Sequence, residues 1–249
     1  MSMRFLSHEL TGTTPTYLDN PAVQLEQVSS IANGDAANWF SLRTINHNGT
    51  HVDAPWHFDQ HGTRLDELPP RSFFFTSARL ADVPKDTGDL ITEDDLRRHR
   101  KLIADADLLL VRTGFGARYR DAAPRVYGGQ GPGFAESAGT YLRQFPALRC
   151  VGMDVISAGA PAWREEGRAF HRVALGAVSP PGAANPFVLL AEDCRLDDDL
   201  AAADLDLVIM SPLVIKPSDG APVTMLALSG DDLASIGLSR TGTQGAAQR

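Results

Sequence analysis

At 249 residues, 43% of them apolar and 22% charged, the chain is long enough for one sizeable core and is neither disordered nor fibrous in composition. Its 31 acidic against 23 basic side chains give a net charge of -8, which excludes a general attraction to phosphate backbones, and no basic stripe points to nucleic acid. Cys150 and Cys194 sit in apolar stretches without CxxC spacing and read as thiols of a reducing compartment; with no signal-peptide pattern and no apolar run near the ~20 residues that span a bilayer, a cytoplasmic protein is expected.

No linker or repeat divides the chain, so one domain over 1–238 is expected, with a small, polar, frayed tail at 239–249. The first forty residues carry turn signals at Gly12, Pro15, Asp19-Asn20-Pro21 and Gly34-Asp35 and read as loops with short strands. Residues 39–45 alternate and are rich in strand formers, and 80–83 form a second short strand. Thr92 opens a helix with acids in its first turn. A buried strand follows at 107–113, ended by Gly114, then a helix at 134–145 and strands at 149–155, 186–191, 205–210 and 222–228. The pattern predicts a mixed α/β chain with more strand than helix.

Chemistry concentrates in one segment. His47, His51 and His57 fall within eleven residues of a chain that has seven histidines, and Asp53 lies among them. On a helix His47 and His51 would share a face by their four-residue spacing. Gly49, Pro55 and the β-branched Thr50 and Val52 argue against a helix. On an extended chain side chains alternate, and His47, His51, Asp53 and His57 all have odd numbers, so all four would project to one side. Alternation cannot continue strictly through Pro55, which leaves His57 less fixed. Gly49, on the same side, would let a metal or substrate approach the backbone. Two imidazoles and a carboxylate suit zinc, manganese or iron, and the two oxygens of Asp53 suit a bridge between two ions.

The remaining ligands must come from elsewhere, and His171 and Glu192 are the donors expected. Glu192 ends an apolar strand, where a solvated strand end and a ligand are evenly matched readings. His61, between Gln60 and Gly62, reads as a loop residue, and His8 and His99 as surface residues. Asp154 reads as a structural carboxylate rather than a ligand. Trp39, Trp56, Tyr17 and the run Phe73-Phe74-Phe75 are candidates for an aromatic wall, each more often core than pocket.

The run from His47 to His57, HNGTHVDAPWH, resembles the HxGTHxDxPxH signature of the cyclase-like metal-dependent hydrolases, which include bacterial kynurenine formamidases and isatin hydrolases. The resemblance continues through Leu109-Leu110-Val111-Arg112-Thr113-Gly114 and Val151-Gly152-Met153-Asp154 to Asp219-Gly220-Ala221-Pro222-Val223. It implies a single domain with a mixed sheet or barrel-like core and flanking helices, of the swivelling β/β/α type. It implies that His47, His51 and Asp53 hold a metal, that Asp53 bridges to a second ion where two are present, and that His171 and Glu192 complete the sites. His57 takes the place of the general acid/base. Tyr17 falls near a substrate-contacting position, and Trp56 is a second substrate contact. The resemblance further implies a zinc or manganese cofactor of one or two ions per subunit and a homodimer or homotetramer acting on a small molecule.

The expected reaction is hydrolysis of a small amide, cyclic amide or lactone, in which His57 takes a proton from water and passes it to the leaving atom. Two other classes fit the same residues: a metal-dependent cyclase or dehydratase working without net hydrolysis, and a non-catalytic small-molecule binder. A serine hydrolase is disfavoured because no GxSxG occurs.

Overall fold

The computed structural model describes residues 3–238; the tail expected at 239–249 and the first two residues of the expected domain lie outside them. In chain order the strands are β1 (Arg4–Phe5), β2 (Gln24–Ser29), β3 (Trp39–Arg43), β4 (His51–Asp53), β5 (Phe74–Phe75), β6 (Ala78–Asp82), β7 (Leu90–Ile91), β8 (Leu108–Arg112), β9 (Gly133–Phe134), β10 (Cys150–Met153), β11 (Leu189–Glu192), β12 (Leu207–Pro212) and β13 (Gly220–Leu228). The helices are α1 (Glu93–Arg97), α2 (Arg100–Ala104), α3 (Phe115–Tyr119), α4 (Pro124–Gln130), α5 (Glu136–Leu142), α6 (Arg164–Ala174) and α7 (Gly230–Ser235). Among the described residues no helix is long and apolar enough to cross a membrane.

The main sheet runs β5-β12-β13-β4-β11-β10-β8-β6, with β1 added on β13. From β6 to β11 the strands are parallel, and from β11 through β4, β13 and β12 to β5 they are antiparallel. Strands β5 and β6 stand at opposite ends of that order, yet Phe75 and Ala78 are only three residues apart, a reach of roughly 11 Å. The sheet must therefore curl back on itself into a nearly closed barrel, the mixed, strand-rich α/β architecture expected from the sequence.

Side-chain alternation sorts the strands onto two cores. Leu108, Leu110, Cys150, Leu189 and Ala191 point inward with Val52, Met210 and Met225 to fill the barrel. Leu109, Val111, Val151, Met153 and Leu190 point outward to Phe115, Phe134, Tyr141 and Phe170 of the helical layer. Buried on both faces, β8 is accordingly an unbroken apolar run, Leu108-Leu109-Leu110-Val111.

Most predicted elements are present. Thr92 caps α1 as expected, its backbone N–H donating to Asp95 Oδ2 at 2.9 Å. The helix predicted at 134–145 is shorter, because Phe134 pairs in β9 with β7 before α5 begins. The strand predicted at 39–45 exists as β3 but pairs only with β2, outside the main sheet. Helix α6, the longest described, was not predicted. Gly167 in its middle masks the helical pattern, and a Cβ there would meet the Gly159 Cα at 2.6 Å, so glycine is what lets α6 lie against the loop before it.

Candidate metal centre

Strand β4 is three residues long and wholly buried. Val52 points into the barrel, so His51 and Asp53 point to the outer face. Glu192 on β11 pairs in register with His51 and, two residues from outward-facing Leu190, shares that face. Gly220 of β13 lies opposite Asp53, where a Cβ would come within 2.7 Å of the Val52 carbonyl and 2.8 Å of the His47 ring. Helix α6 closes the layer and delivers His171.

The four expected donors His47, His51, His171 and Glu192 converge on Asp53. His47 Nδ1 lies 2.9 Å and His51 Nε2 3.6 Å from Asp53 Oδ1, and His171 Nε2 lies 3.9 Å from Asp53 Oδ2. Glu192 stands 3.4 Å from His51 Nε2 and 3.2 Å from His171 Nε2. The rings are aimed by backbone carbonyls. His51 Nδ1 donates to Gly49 O at 2.8 Å and His171 Nδ1 to Gly167 O at 2.6 Å, and since a carbonyl only accepts, each Nε2 is turned toward the carboxylates as the nitrogen that could ligate. Gly49 therefore serves His51 through its carbonyl and its φ of 66°, rather than by clearing space for a metal; a Cβ there would meet Leu10 at 2.9 Å.

Parity holds only within β4. His47 reaches the site from the turn before it, and His57 from the 3-10 turn Pro55–His57 after it. His57 stacks on His47 with ring centroids 4.1 Å apart. Asp219, to which the sequence reading gave no role, holds both: its Oδ2 accepts from His57 Nδ1 at 2.8 Å and from His47 Nε2 at 3.0 Å. Asn46 Nδ2 donates to Asp219 Oδ1 at 2.5 Å. The available signal was position, since Asp219 opens the late segment that completes the family resemblance.

Among the described residues two groups of possible ligands result, His51-Asp53-Glu192 and His47-Asp53-His57, sharing Asp53. His47 is thus grouped by distance with His57, while His51 lies with Glu192 and His171. One observation tests whether the residues fit a metal. Asp53 Oδ2 is buried without a hydrogen-bond partner, in a set of imidazoles and carboxylates suited to zinc or manganese. A divalent ion satisfies that oxygen, so the residues fit.

The charges agree. Burial alone would lower the His47 pKa, but hydrogen bonds to Asp219 and Asp53 raise it to about 10. His51 and His171 are likewise raised, the Glu192 carboxylate outweighing their burial. Burial pushes Glu192 up, but bonds to His171 and His51 hold it well below the usual carboxylate range, and Asp219 is lowered by His47 and His57. The proton on His47 stabilises the metal-free fold fully below pH 6.5, and that contribution is lost as pH rises through about 10. A metal competes with this proton. Its apparent affinity, measured by competition with a chromophoric chelator, should rise with pH across the neutral range by up to about tenfold per unit for each proton displaced. A pH-independent affinity would show that these imidazoles are not ligands.

The backbone beside Glu192 is clamped. Asp193 has a φ of 51°, left-handed for a residue other than glycine. Arg120 grips its carboxylate through two bonds of 2.9 and 3.0 Å, Tyr127 adds a third at 2.7 Å, and Thr50 Oγ1 donates to its carbonyl at 2.6 Å. Asp154 is structural, accepting from the Thr113 and Gly114 backbone at 2.7 and 2.8 Å.

The site opens into a cavity of about 340 Å³. Tyr17, expected at the substrate, lines it. Trp56 does not; it is half-buried, and the aromatic that joins Tyr17 on the wall is Phe58, stacked on His171 at 4.6 Å. His61 is exposed, as expected.

A family model described as a putative cyclase matches residues 5–160. The chain belongs to this cyclase family. A kynurenine formamidase of Bacillus thuringiensis is 25% identical over 221 residues, spanning 88% of this chain and 93% of that protein. An uncharacterized protein of Haemophilus influenzae is 38% identical over 115 residues, 46% of this chain and 80% of its own length. Among solved structures, isatin hydrolase A from Labrenzia aggregata, bound to benzyl benzoate, superposes with a TM-score of 0.74 at 21% identity, over 92% of this chain and 94% of that one. That likeness shows the shared fold.

Proposed function

We propose that the chain is a metal-dependent hydrolase of a small amide, cyclic amide or lactone. The observation that carries this reading is Asp53, shared by two ligand groups, with one buried oxygen unbonded, beside a cavity that also contains a carboxylate-backed His57. The names of the relatives, a kynurenine formamidase and an isatin hydrolase, support it.

His51, His171, Asp53 and Glu192 would hold one zinc or manganese ion, and His47 with Asp53 would hold another where two are bound. Such an ion supplies Lewis acidity, acidifying water and polarising a carbonyl. Asp219 accepts from His57 Nδ1, which fixes the ring and leaves Nε2 as the basic nitrogen. In this reading His57 Nε2 takes the proton of the attacking water and returns it to the leaving nitrogen or oxygen. Tyr17 and Phe58 bound the cavity that receives the organic part of the substrate. Purified protein loaded with zinc or manganese should open formamides, lactams or lactones in an absorbance screen, and chelation should abolish turnover. Full activity after the metal is removed would overturn the reading.

The chain is also proposed to self-associate in a cytoplasm, where the buried free thiols Cys150 and Cys194 would stay reduced. Strands β2 and β3 form a separate two-stranded arm whose large apolar side chains are bare, Trp39 at 64% and Val28 at 59% exposure among them. Such a ribbon is marginal alone in water, and a second copy would cover it. Sedimentation should show a dimer or tetramer that dissociates when Trp39 and Phe40 are both changed to serine. A wild-type monomer would exclude this arrangement.

A further inference from the structure

Arg164, Gly167, Arg168 and His171 recur at three- and four-residue steps on α6, so they share one face, and all four line the cavity of the metal centre. His171 lies at the ligand cluster. Arg168 stands about 4.5 Å back along the helix axis and Arg164 about 10 Å back, so the outer cavity is cationic. Among the described residues Arg168 pairs only with Glu165, at 2.8 Å, and both are largely exposed, so the pair holds it weakly. Arg164 forms no ion pair among the described residues, although the chain carries an excess of acids. Glu192 is the one carboxylate among the cavity-lining residues, and it faces the imidazoles. Tyr17 stands close enough to be influenced by both arginines: burial raises its phenol pKa, and Arg164 foremost pulls it down. The cavity therefore has the ligand cluster at one end and, further back on the same helix face, a guanidinium that no acid among the described residues engages.

We propose that Arg164, assisted by Arg168, binds a carboxylate on the substrate, which is accordingly an amide or lactone bearing an acid at the end remote from the reacting carbonyl, rather than a neutral lactam. A planar guanidinium offers two parallel donors to a carboxylate, and at this exposed position the gain is screened by salt. The inference rests on the hydrolase reading for the reacting end, and its test separates the two.

The probes are 4-formamidobenzoate and its uncharged counterpart 4-formamidobenzamide, given to the metal-loaded protein. Water adds across the formyl C–N bond, releasing formate and the free aryl amine. Wild type should prefer the acid in kcat/KM, chiefly through KM. The preference should collapse by about 10- to 100-fold in Arg164→Gln, survive in part in Arg164→Lys, and shrink as salt rises. A wild type without preference, or one whose preference is untouched by Arg164→Gln, overturns the proposal. Calorimetry with 4-methylbenzoate and 4-methylbenzamide needs no turnover. Tighter binding of the acid that disappears in Arg164→Gln supports the anion site even if neither formamide is cleaved, an outcome that would count against hydrolysis alone. Equal binding of the acid by wild type and variant would mean that its carboxylate goes to the metal, and would sink the proposal.

Discussion

Asp53→Asn should leave the protein with less than about a tenth of its metal and lower turnover by at least about a thousandfold. The substitution changes almost nothing in size. It removes the charge of a carboxylate that is 1% exposed and stands between His47 at 2.9 Å and His51 at 3.6 Å. Burial pushes Asp53 toward protonation, but the facing imidazoles of His57 and His51 and the His47 hydrogen bond outweigh it and keep it ionised. An amide offers one weak acceptor in place of two anionic ones, and its NH2 would face imidazole nitrogens that also donate. Both ligand groups contain Asp53, so both should fail together. Elemental analysis alongside a turnover assay checks this. Stoichiometric metal in the variant would remove Asp53 from the ligand set and with it the reading of the site.

His57→Ala should behave differently. Turnover should fall by about 10²- to 10⁴-fold, the range of general acid–base catalysis, while metal content stays near that of wild type. The acid–base limb of the pH–rate profile should disappear with it. Asp219→Asn acts on both histidines that Asp219 supports. It slackens His57 and also withdraws the carboxylate behind His47, so metal affinity should drop by about 10- to 100-fold along with turnover. The distances allow another outcome for His57, because it can reach an ion shared with His47 and Asp53. Loss of metal in His57→Ala would make it a ligand rather than the acid/base.

The sequence marked which candidate ligands come together better than it marked the geometry that brings them there. Parity grouped His47, His51, Asp53 and His57, and all four meet, yet only His51 and Asp53 lie on one strand. A positive φ at Gly49 and a 3-10 turn after Pro55 bring in the other two, and neither follows from a period-two pattern. The strands of the parallel half were legible because burial on both faces makes them continuous apolar runs. Helix α6 was not, since Gly167 answers to the close approach of Gly159 and not to helix propensity. Asp219 was hidden for a different reason: its two partners lie in residues 47–57, and an isolated Asp-Gly looks like any turn. Phe58 and Arg164 carried no signal beyond their residue types.

The position of β4 in the sheet has a kinetic consequence. This three-residue strand is wedged between β11 and β13, whose residues come from 189–192 and 220–228. A chain that has folded only its first half owns His47, His51, Asp53 and His57 but has neither Glu192 nor the Asp219 clasp. Contacts this distant in sequence form late and slowly. Metal capture should therefore mark the end of folding rather than its beginning. An ion that recognises only the finished molecule deepens the native well by mass action, so the melting temperature should climb with the logarithm of free metal.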